Sequence, residues 1–152
     1  MSSESAPQQA KQKQSPLNNI LIGIAVVTVL VGMQYGPRWL VGYENYWSAT
    51  DSQNKIVHGE KMLLLDVRTV KEFKGGHIPN SVNMPMNVLK SKIQKNPDAF
   101  KKHYQDHTIL SICRSDSRAT TAARWLQAEG LNVKVLDGGL VAWNKAQLPV
   151  VK

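Results

Sequence analysis

The feature that most constrains the fold of this chain is the apolar run at residues 62–67, which reads Met-Leu-Leu-Leu-Asp-Val. A strand with one face in water alternates apolar and polar side chains, whereas a nearly uninterrupted apolar run is typical of a strand covered on both faces. Similar runs predict strands at 108–112 and 133–136, and a very short strand at 81–83. Such strands belong to parallel sheets flanked by helices, so the sequence predicts an α/β domain.

Helix signals lie between the predicted strands. Asp51 predicts the cap of a short helix that ends near Gly59. Thr69 followed by Glu72 matches a capping box and predicts one helical turn, which a pair of glycines ends. The remaining helices are predicted at 86–93, 97–103, 117–129 and 140–145.

The N-terminal third of the chain has a different composition. Residues 1–16 are mostly Ser, Gln, Lys, Ala and Pro and predict a disordered tail. Residues 17–35 contain no charged side chain, and a helix of that length would span roughly 28 Å, close to the hydrocarbon thickness of a bilayer. We therefore expect one transmembrane helix at 17–35, a linker at 36–50 and the α/β domain at 51–152.

Two other interpretations of the apolar segment stay open, a cleaved signal peptide and a buried helix of a soluble protein. Its strictly apolar centre, residues 20–33, has the length of a signal-peptide core. The long, weakly basic region before it and the lack of a prompt Ala-x-Ala site favour an uncleaved anchor. Lys11 and Lys13 precede the segment and Arg38 alone closely follows it, so the positive-inside rule favours a cytoplasmic N-terminus with the domain outside.

Charge and cysteine content narrow the classes of partner and site. The chain has 19 basic and 11 acidic residues, a net charge of +8, but its basic residues are scattered and not interleaved with aromatic ones. We therefore expect no nucleic-acid partner, and either a solvated lysine-rich surface or an attraction for small anions. A single cysteine excludes an intramolecular disulfide and a zinc site of several thiolates. His103 and His107 are spaced for a metal only if their helix continued, so we predict neither a metal nor another cofactor.

The cysteine stands where an α/β fold places its chemistry. Cys113 directly follows the predicted strand at 108–112 and begins the loop Cys-Arg-Ser-Asp-Ser-Arg before a helix. Ligands of parallel sheets bind beyond the carboxyl ends of the strands, where N–H groups of the next helix converge. Arg114 and Arg118 add positive charge. Each feature favours thiolate over thiol, so Cys113 is predicted to be a reactive nucleophile.

Three motifs in order resemble those of rhodanese-like domains. Leu-Asp-Val-Arg at 65–68 precedes Glu-Phe-Lys-Gly-Gly-His-Ile-Pro-Asn-Ser-Val-Asn-Met-Pro at 72–85, and Asp-Gly-Gly-Leu-Val-Ala-Trp closes the series at 137–143. The cysteine loop lies between them, where the family carries its active-site loop. The resemblance covers 51–152 and implies a small rhodanese-like α/β domain of the single-domain sulfurtransferase type.

The resemblance also implies a mechanism. Cys113 would take sulfane sulfur from a small anionic donor such as thiosulfate, carry it as a persulfide and pass it to a thiol or protein acceptor. Arg118 would help hold the donor or brace the loop against a carboxylate such as Glu72. The loop residues implied to cradle the persulfide are Arg114, Ser115, Asp116, Ser117 and Arg118.

Loop length separates this chemistry from phosphate chemistry. Related phosphatase domains carry Cys-x5-Arg, but Ala119 occupies that position here, and Arg118 gives the shorter Cys-x4-Arg of the sulfur-transferring branch. Many active members have glycine where this chain has Asp116. Aspartate tolerates positive φ, but its negative charge is expected to weaken thiosulfate binding.

Three further residues are expected to support the site. Asp66 and Arg68 are interpreted as structural partners, and His77 as a residue that fixes the turn by a hydrogen bond. The alternative function is a non-catalytic rhodanese-fold module that docks at a membrane complex. The presence of the cysteine and both loop arginines favours the enzyme.

Overall fold

The computed structural model describes residues 20–27 and 40–152. Residues 20–27 are helical and are labelled α1. The predicted tail at 1–16, and all of the predicted span at 17–35 except α1, lie outside the described residues. In the part of the chain that is described, no helix combines the length and apolar composition needed to cross a membrane.

The domain alternates short strands with helices after a 3-10 turn at Tyr43–Asn45. The strands are β1 (Tyr46–Trp47), β2 (Met62–Asp66), β3 (Val82–Asn83), β4 (Thr108–Ile112) and β5 (Val133–Leu136). The helices are α2 (Ala49–Val57), α3 (Val70–Lys74), α4 (Met86–Lys95), α5 (Pro97–Tyr104), α6 (Ser117–Ala128) and α7 (Gly139–Lys145). The strands and helices predicted from the sequence for residues 51–152 are confirmed, with small shifts at their ends.

The five strands form one sheet in the order β1-β5-β4-β2-β3, and every neighbouring pair is parallel. This confirms the α/β class with a parallel sheet flanked by helices. Because all strands point the same way, their carboxyl ends share one edge of the sheet. The loop that begins at Cys113 follows β4, which is the central strand, and therefore lies in the middle of that edge.

The core has two layers, one on each face of the sheet. Leu65 of β2 and its alternate neighbour Val67 pack against α4, α5 and α6. Leu64, the residue before Leu65 in β2, packs on the opposite face with Trp143 of α7 and Ala49 of α2. Alternate side chains of a strand point to opposite faces, so a strand covered on both faces requires the uninterrupted apolar run from which the fold was predicted.

The domain begins before residue 51, inside the segment predicted to be a linker. Val41 is buried in the core, and β1 pairs with β5 at the edge of the sheet. The first helix also starts earlier than predicted, because its N-cap is Ser48, whose Oγ accepts the N–H of Asp51 at 3.1 Å. Asp51 lies in the first turn of α2 instead, where a carboxylate also interacts favourably with the helix dipole.

Candidate active site

Cys113 is the first residue after the central strand, and its side chain is buried with 1% of the residue exposed. The Sγ atom accepts a hydrogen bond from the backbone N–H of Ala119, in the first turn of α6, at 3.4 Å. The N-terminal turn of a helix carries partial positive charge on its N–H groups. The sulfur therefore faces the end of a helix that favours negative charge.

The loop at 114–118 turns the chain from β4 into α6 at Asp116. This residue has a φ of 81° in the left-handed region, which glycine adopts most readily and which aspartate tolerates. Its carbonyl accepts the N–H of Thr120 at 2.8 Å and so begins the hydrogen bonds of α6. Arg114, Ser115 and Ser117 have exposed side chains.

Arg118, at the end of the loop, is bound to Glu72 of α3 through two hydrogen bonds, of 2.9 and 2.6 Å. Of the two tasks expected for Arg118, this geometry corresponds to bracing the loop. The hydrogen bonds from Arg118 hold the pKa of the Glu72 carboxyl well below its usual range, with a further contribution from Thr69. The same pairing raises the pKa of Arg118 above its ordinary value.

Glu72 is also held from its own helix. It completes the predicted capping box of α3, because its Oε2 accepts the backbone N–H of Thr69 at 3.0 Å while Thr69 Oγ1 accepts the N–H of Glu72. One carboxylate therefore fixes the start of α3 and the end of the cysteine loop together.

Asp66 and Arg68 form a buried ion pair beneath the site, with Nη2 and Oδ2 2.7 Å apart. The guanidinium also donates to the backbone carbonyls of Glu72 at 3.2 Å and Gly76 at 2.8 Å. The pair thus ties the carboxyl end of β2 to the end of α3. Both residues, interpreted from the sequence as structural partners, lie at this junction.

His77 fixes the turn that follows α3. Its Nδ1 lies 3.0 Å from the carbonyl oxygen of Phe73, and since a carbonyl can only accept, Nδ1 carries the proton. The ring stacks on Phe73 with centroids 3.7 Å apart. The backbone of His77 exchanges two hydrogen bonds of 2.9 Å with Val151, near the C-terminus.

Gly139 is a site residue whose role the sequence analysis missed. The N-terminus of α7 rests on the cysteine loop, and the N–H of Leu140 donates to the Cys113 carbonyl at 2.9 Å. A Cβ atom on Gly139 would lie 2.6 Å from backbone atoms of Cys113 and Arg114, and its φ is +56°. The sequence marks this position only by its Gly-Gly pair. The spacing of that pair from Cys113 does not show that Gly139 touches the loop.

A cleft of about 520 Å³ opens beside the loop. It is lined by α3 with the two glycines that follow it, by α7 and by the chain near Val150. The lining residues are Arg68, Glu72, Gly75, Gly76, Arg114, Leu140, Val141, Asn144 and Val150. Cys113 adjoins this cleft through its peptide bond to Arg114 and its hydrogen bond to Leu140.

A family model for the rhodanese-like domain matches residues 48–146. This chain belongs to the rhodanese-like domain family. The match begins at Ser48, the N-cap of α2. A rhodanese-related protein of Thermoplasma volcanium has the same fold, with a TM-score of 0.57 and 28% identity, over 70% of this chain and 97% of that one.

Curated relatives of this rhodanese-like domain include named sulfurtransferases. A sulfurtransferase of Allochromatium vinosum is 31% identical over 98 residues, 64% of this chain and 85% of that protein. Thiosulfate sulfurtransferase 16 of Arabidopsis thaliana is 36% identical over 108 residues, 67% of this chain and 88% of that protein. The match to a tRNA uridine(34) hydroxylase of Buchnera aphidicola, 30% identical over 99 residues, spans only 31% of that protein. At the level of the family, the domain is of the sulfurtransferase type.

Proposed function

We propose that this protein is a sulfurtransferase that carries sulfane sulfur as a persulfide on Cys113. The observation that carries the proposal is the buried thiol at the end of the central strand, with the N–H of Ala119 directed at its sulfur. The N–H groups of a helix N-terminus carry partial positive charge, which complements the charge on an attacking or departing sulfur.

The reaction has two balanced halves. In the first, the Cys113 thiolate forms a bond to the outer sulfur of thiosulfate, the S–S bond of thiosulfate breaks, and sulfite leaves with the bonding electron pair. The persulfide anion that results takes one proton from water and becomes neutral. In the second, an acceptor thiolate bonds to the outer sulfur of the neutral persulfide, and Cys113 leaves as a thiolate. The acceptor then carries the persulfide and its proton, and no external oxidant or reductant is consumed.

Arg114 is proposed to hold the anionic donor. Three arginines lie near the cleft, but Arg68 is paired with Asp66 and Arg118 with Glu72. Within the described ranges, the guanidinium of Arg114 has no hydrogen-bond or ion-pair partner, and it lines the cleft. Thiosulfate as the donor is supported further by the name of the Arabidopsis relative.

Mass spectrometry of the intact protein after exposure to thiosulfate tests the persulfide. We expect the mass to increase by one sulfur atom, at Cys113, and the gain to disappear after treatment with cyanide. Cys113→Ser, which keeps a side chain of similar size, is the control and should show no gain. Equal rates of thiocyanate formation by the wild type and Cys113→Ser would contradict the proposal and leave a non-catalytic docking module.

We also propose that residues 17–35 anchor the protein in a membrane as a single-pass helix, with the N-terminus cytoplasmic and the domain outside. The proposal is supported by the uncharged sequence and by the exposed apolar side chains of α1, of which Ile20 and Leu21 are examples. The full chain should remain with membranes in high salt and in alkaline carbonate, since salt weakens surface attraction but not insertion. Release by salt alone would contradict the anchor, and protection of the domain from external protease would reverse its orientation.

A further inference from the structure

The cleft beside Cys113 is much larger than the small donor requires. Its volume of about 520 Å³ lies in the range of roughly 300–1,000 Å³ that pockets for whole organic ligands occupy. Thiosulfate is a five-atom anion and would contact only the end of the cleft nearest Arg114. The rest of the surface is available to a larger molecule, and the second half-reaction requires one that brings a thiol.

Part of the lining of the cleft is apolar and open to solvent. Val141 of α7 is 54% exposed and Val150, which lies beside Gly76, is 41% exposed, and the buried Leu140 also lines the cleft. Exposed apolar side chains beside a reactive centre are typical of a contact surface. A small anion gains nothing from these side chains, whereas a peptide segment with an apolar side chain buries them.

The charge at the rim of the cleft is positive. Glu72 is the one carboxylate in the lining, and Arg118 neutralises it. Arg114 lines the cleft, and Lys145 extends from α7 four residues after Val141, so it lies on the same side of the helix. Among the described residues, neither cation is in an ion pair with a carboxylate. The rim therefore attracts a segment that carries carboxylates.

We propose that this cleft docks an acidic segment of a protein that presents the acceptor thiol to the Cys113 persulfide. The inference rests on the sulfurtransferase function proposed above and specifies its acceptor. An apolar residue of the segment would pack on Val141 and Val150, and its carboxylates would face Arg114 and Lys145. Transfer is then the second half-reaction, with the acceptor sulfur bonded to the outer sulfur and Cys113 released as a thiolate.

Transfer from the persulfide form of the full chain to synthetic peptides tests the proposal. The first probe is a pentapeptide with a central cysteine flanked by Asp and Val, and the second has Lys in place of each Asp. Their rates are normalised to the uncatalysed reaction of each thiol with a small disulfide, and cyanide is the small acceptor. We expect a lower KM for the acidic peptide, and added salt should reduce the difference between the peptides.

A charge reversal at the rim identifies the surface. Lys145→Glu should raise the KM for the acidic peptide about fivefold and lower that for the basic peptide, the size expected for an exposed ion pair. The matched control, Lys92→Glu on the exposed face of α4, removes a lysine away from the cleft and should change neither value. Because cyanide needs no docking surface, its rate should respond much less to Lys145→Glu than peptide transfer does.

The outcomes separate this inference from the function on which it rests. Equal KM values for the two peptides, or the same effect from Lys92→Glu, would overturn the acidic docking site while cyanide turnover continued. Phosphatidylglycerol vesicles test whether the cleft binds a lipid surface instead. If added vesicles abolish transfer to the peptides, and Lys145→Glu prevents that loss, the cleft binds lipid and the acidic docking site is overturned. Absence of Cys113-dependent transfer even to cyanide would instead remove the sulfurtransferase function itself.

Discussion

At the scale of single residues, Glu72 does two things with one carboxylate. It caps α3 through Thr69 and holds the end of the cysteine loop through Arg118. The second contact is the main reason that its pKa is lowered. A carboxylate whose pKa is lower in the folded than in the unfolded protein stabilises the fold above the unfolded pKa, and the stabilisation is lost as pH falls toward the folded pKa.

Glu72→Gln is expected to lower the free energy of unfolding by about 1 kcal/mol at pH 7, since both partners are about one-third exposed and solvent screens the pair. Glutamine can still complete the capping box, so the change isolates the contact with Arg118. The difference from the wild type should shrink below about pH 4.5, the ordinary pKa of the group. Urea unfolding at a series of pH values measures it.

A matched ion pair provides the control for that series. Glu60 makes one contact of 3.0 Å with Lys55, and its side chain is 45% exposed. Glu60→Gln should therefore lower the free energy of unfolding by less than Glu72→Gln does at pH 7. If Glu72→Gln lowers the free energy of unfolding by the same amount at pH 3.5 as at pH 7, the charge of Glu72 is not what stabilises the loop.

Asp116 is expected to affect binding of the donor through its charge and not through its backbone. Asp116→Asn removes the negative charge and keeps a residue that tolerates positive φ, so the KM for thiosulfate should fall about threefold. Asp116→Gly should have a similar effect. Steady-state kinetics with cyanide as acceptor measures both, and an improvement confined to the glycine variant would attribute the effect to backbone freedom instead.

At the scale of elements, the site is made by α7 resting on the loop after β4. Gly139 lets the two backbones approach, because any side chain there would overlap Cys113 and Arg114. Gly139→Ala should lower the free energy of unfolding by about 2 kcal/mol or more and should slow persulfide formation. Gly59→Ala has a similar φ of +73° with open space around the new Cβ, so it should cost only about 1 kcal/mol.

Comparison of these two variants by urea unfolding separates overlap from backbone strain. Equal losses would mean that α7 moves away from the loop at little cost. In that case persulfide formation by Gly139→Ala would remain close to that of the wild type, which a discontinuous assay of thiocyanate can establish.

The elements differ in how well the sequence predicts them. β2 and β4 are predicted because both are buried on two faces and carry long apolar runs, and α3 because its capping box is local. The sequence does not predict β1, because its two residues, Tyr46 and Trp47, are too few to show a periodic pattern. This strand forms through its pairing with β5. The contact of Gly139 with the loop is not predicted for a similar reason, since it joins segments that are distant in sequence.

At the scale of the whole molecule, the folded domain begins near residue 40 rather than at residue 51. Val41 is buried, the hydroxyls of Tyr46 and Thr120 are 2.8 Å apart, and Ser48 caps α2. A chain of residues 40–152 should therefore fold by itself. The Thermoplasma volcanium relative, 97% of which is covered by the match to this protein, is a domain of this kind.

A chain of residues 51–152 should be less stable than one of residues 40–152. Loss of the buried Val41 costs about 1.5–3 kcal/mol and loss of the helix cap about 1 kcal/mol. The melting temperature should accordingly fall by at least about 10 °C, as thermal unfolding followed by circular dichroism can measure. Equal melting temperatures would mean that β1 and the residues before it add nothing to the domain.

The burial of Cys113 has a consequence for how sulfur would be kept between the two half-reactions. The chain has one cysteine, and its sulfur lies under the loop with 1% of the residue exposed. A disulfide between two copies needs its sulfurs about 2 Å apart, a distance that two such recessed thiols cannot reach while both loops stay closed. The same recess shields a stored sulfur atom from bulky reductants in solution. Release of the stored sulfur would then depend on whether the acceptor has a shape that reaches Cys113. The same loop would both protect the persulfide and select its acceptor.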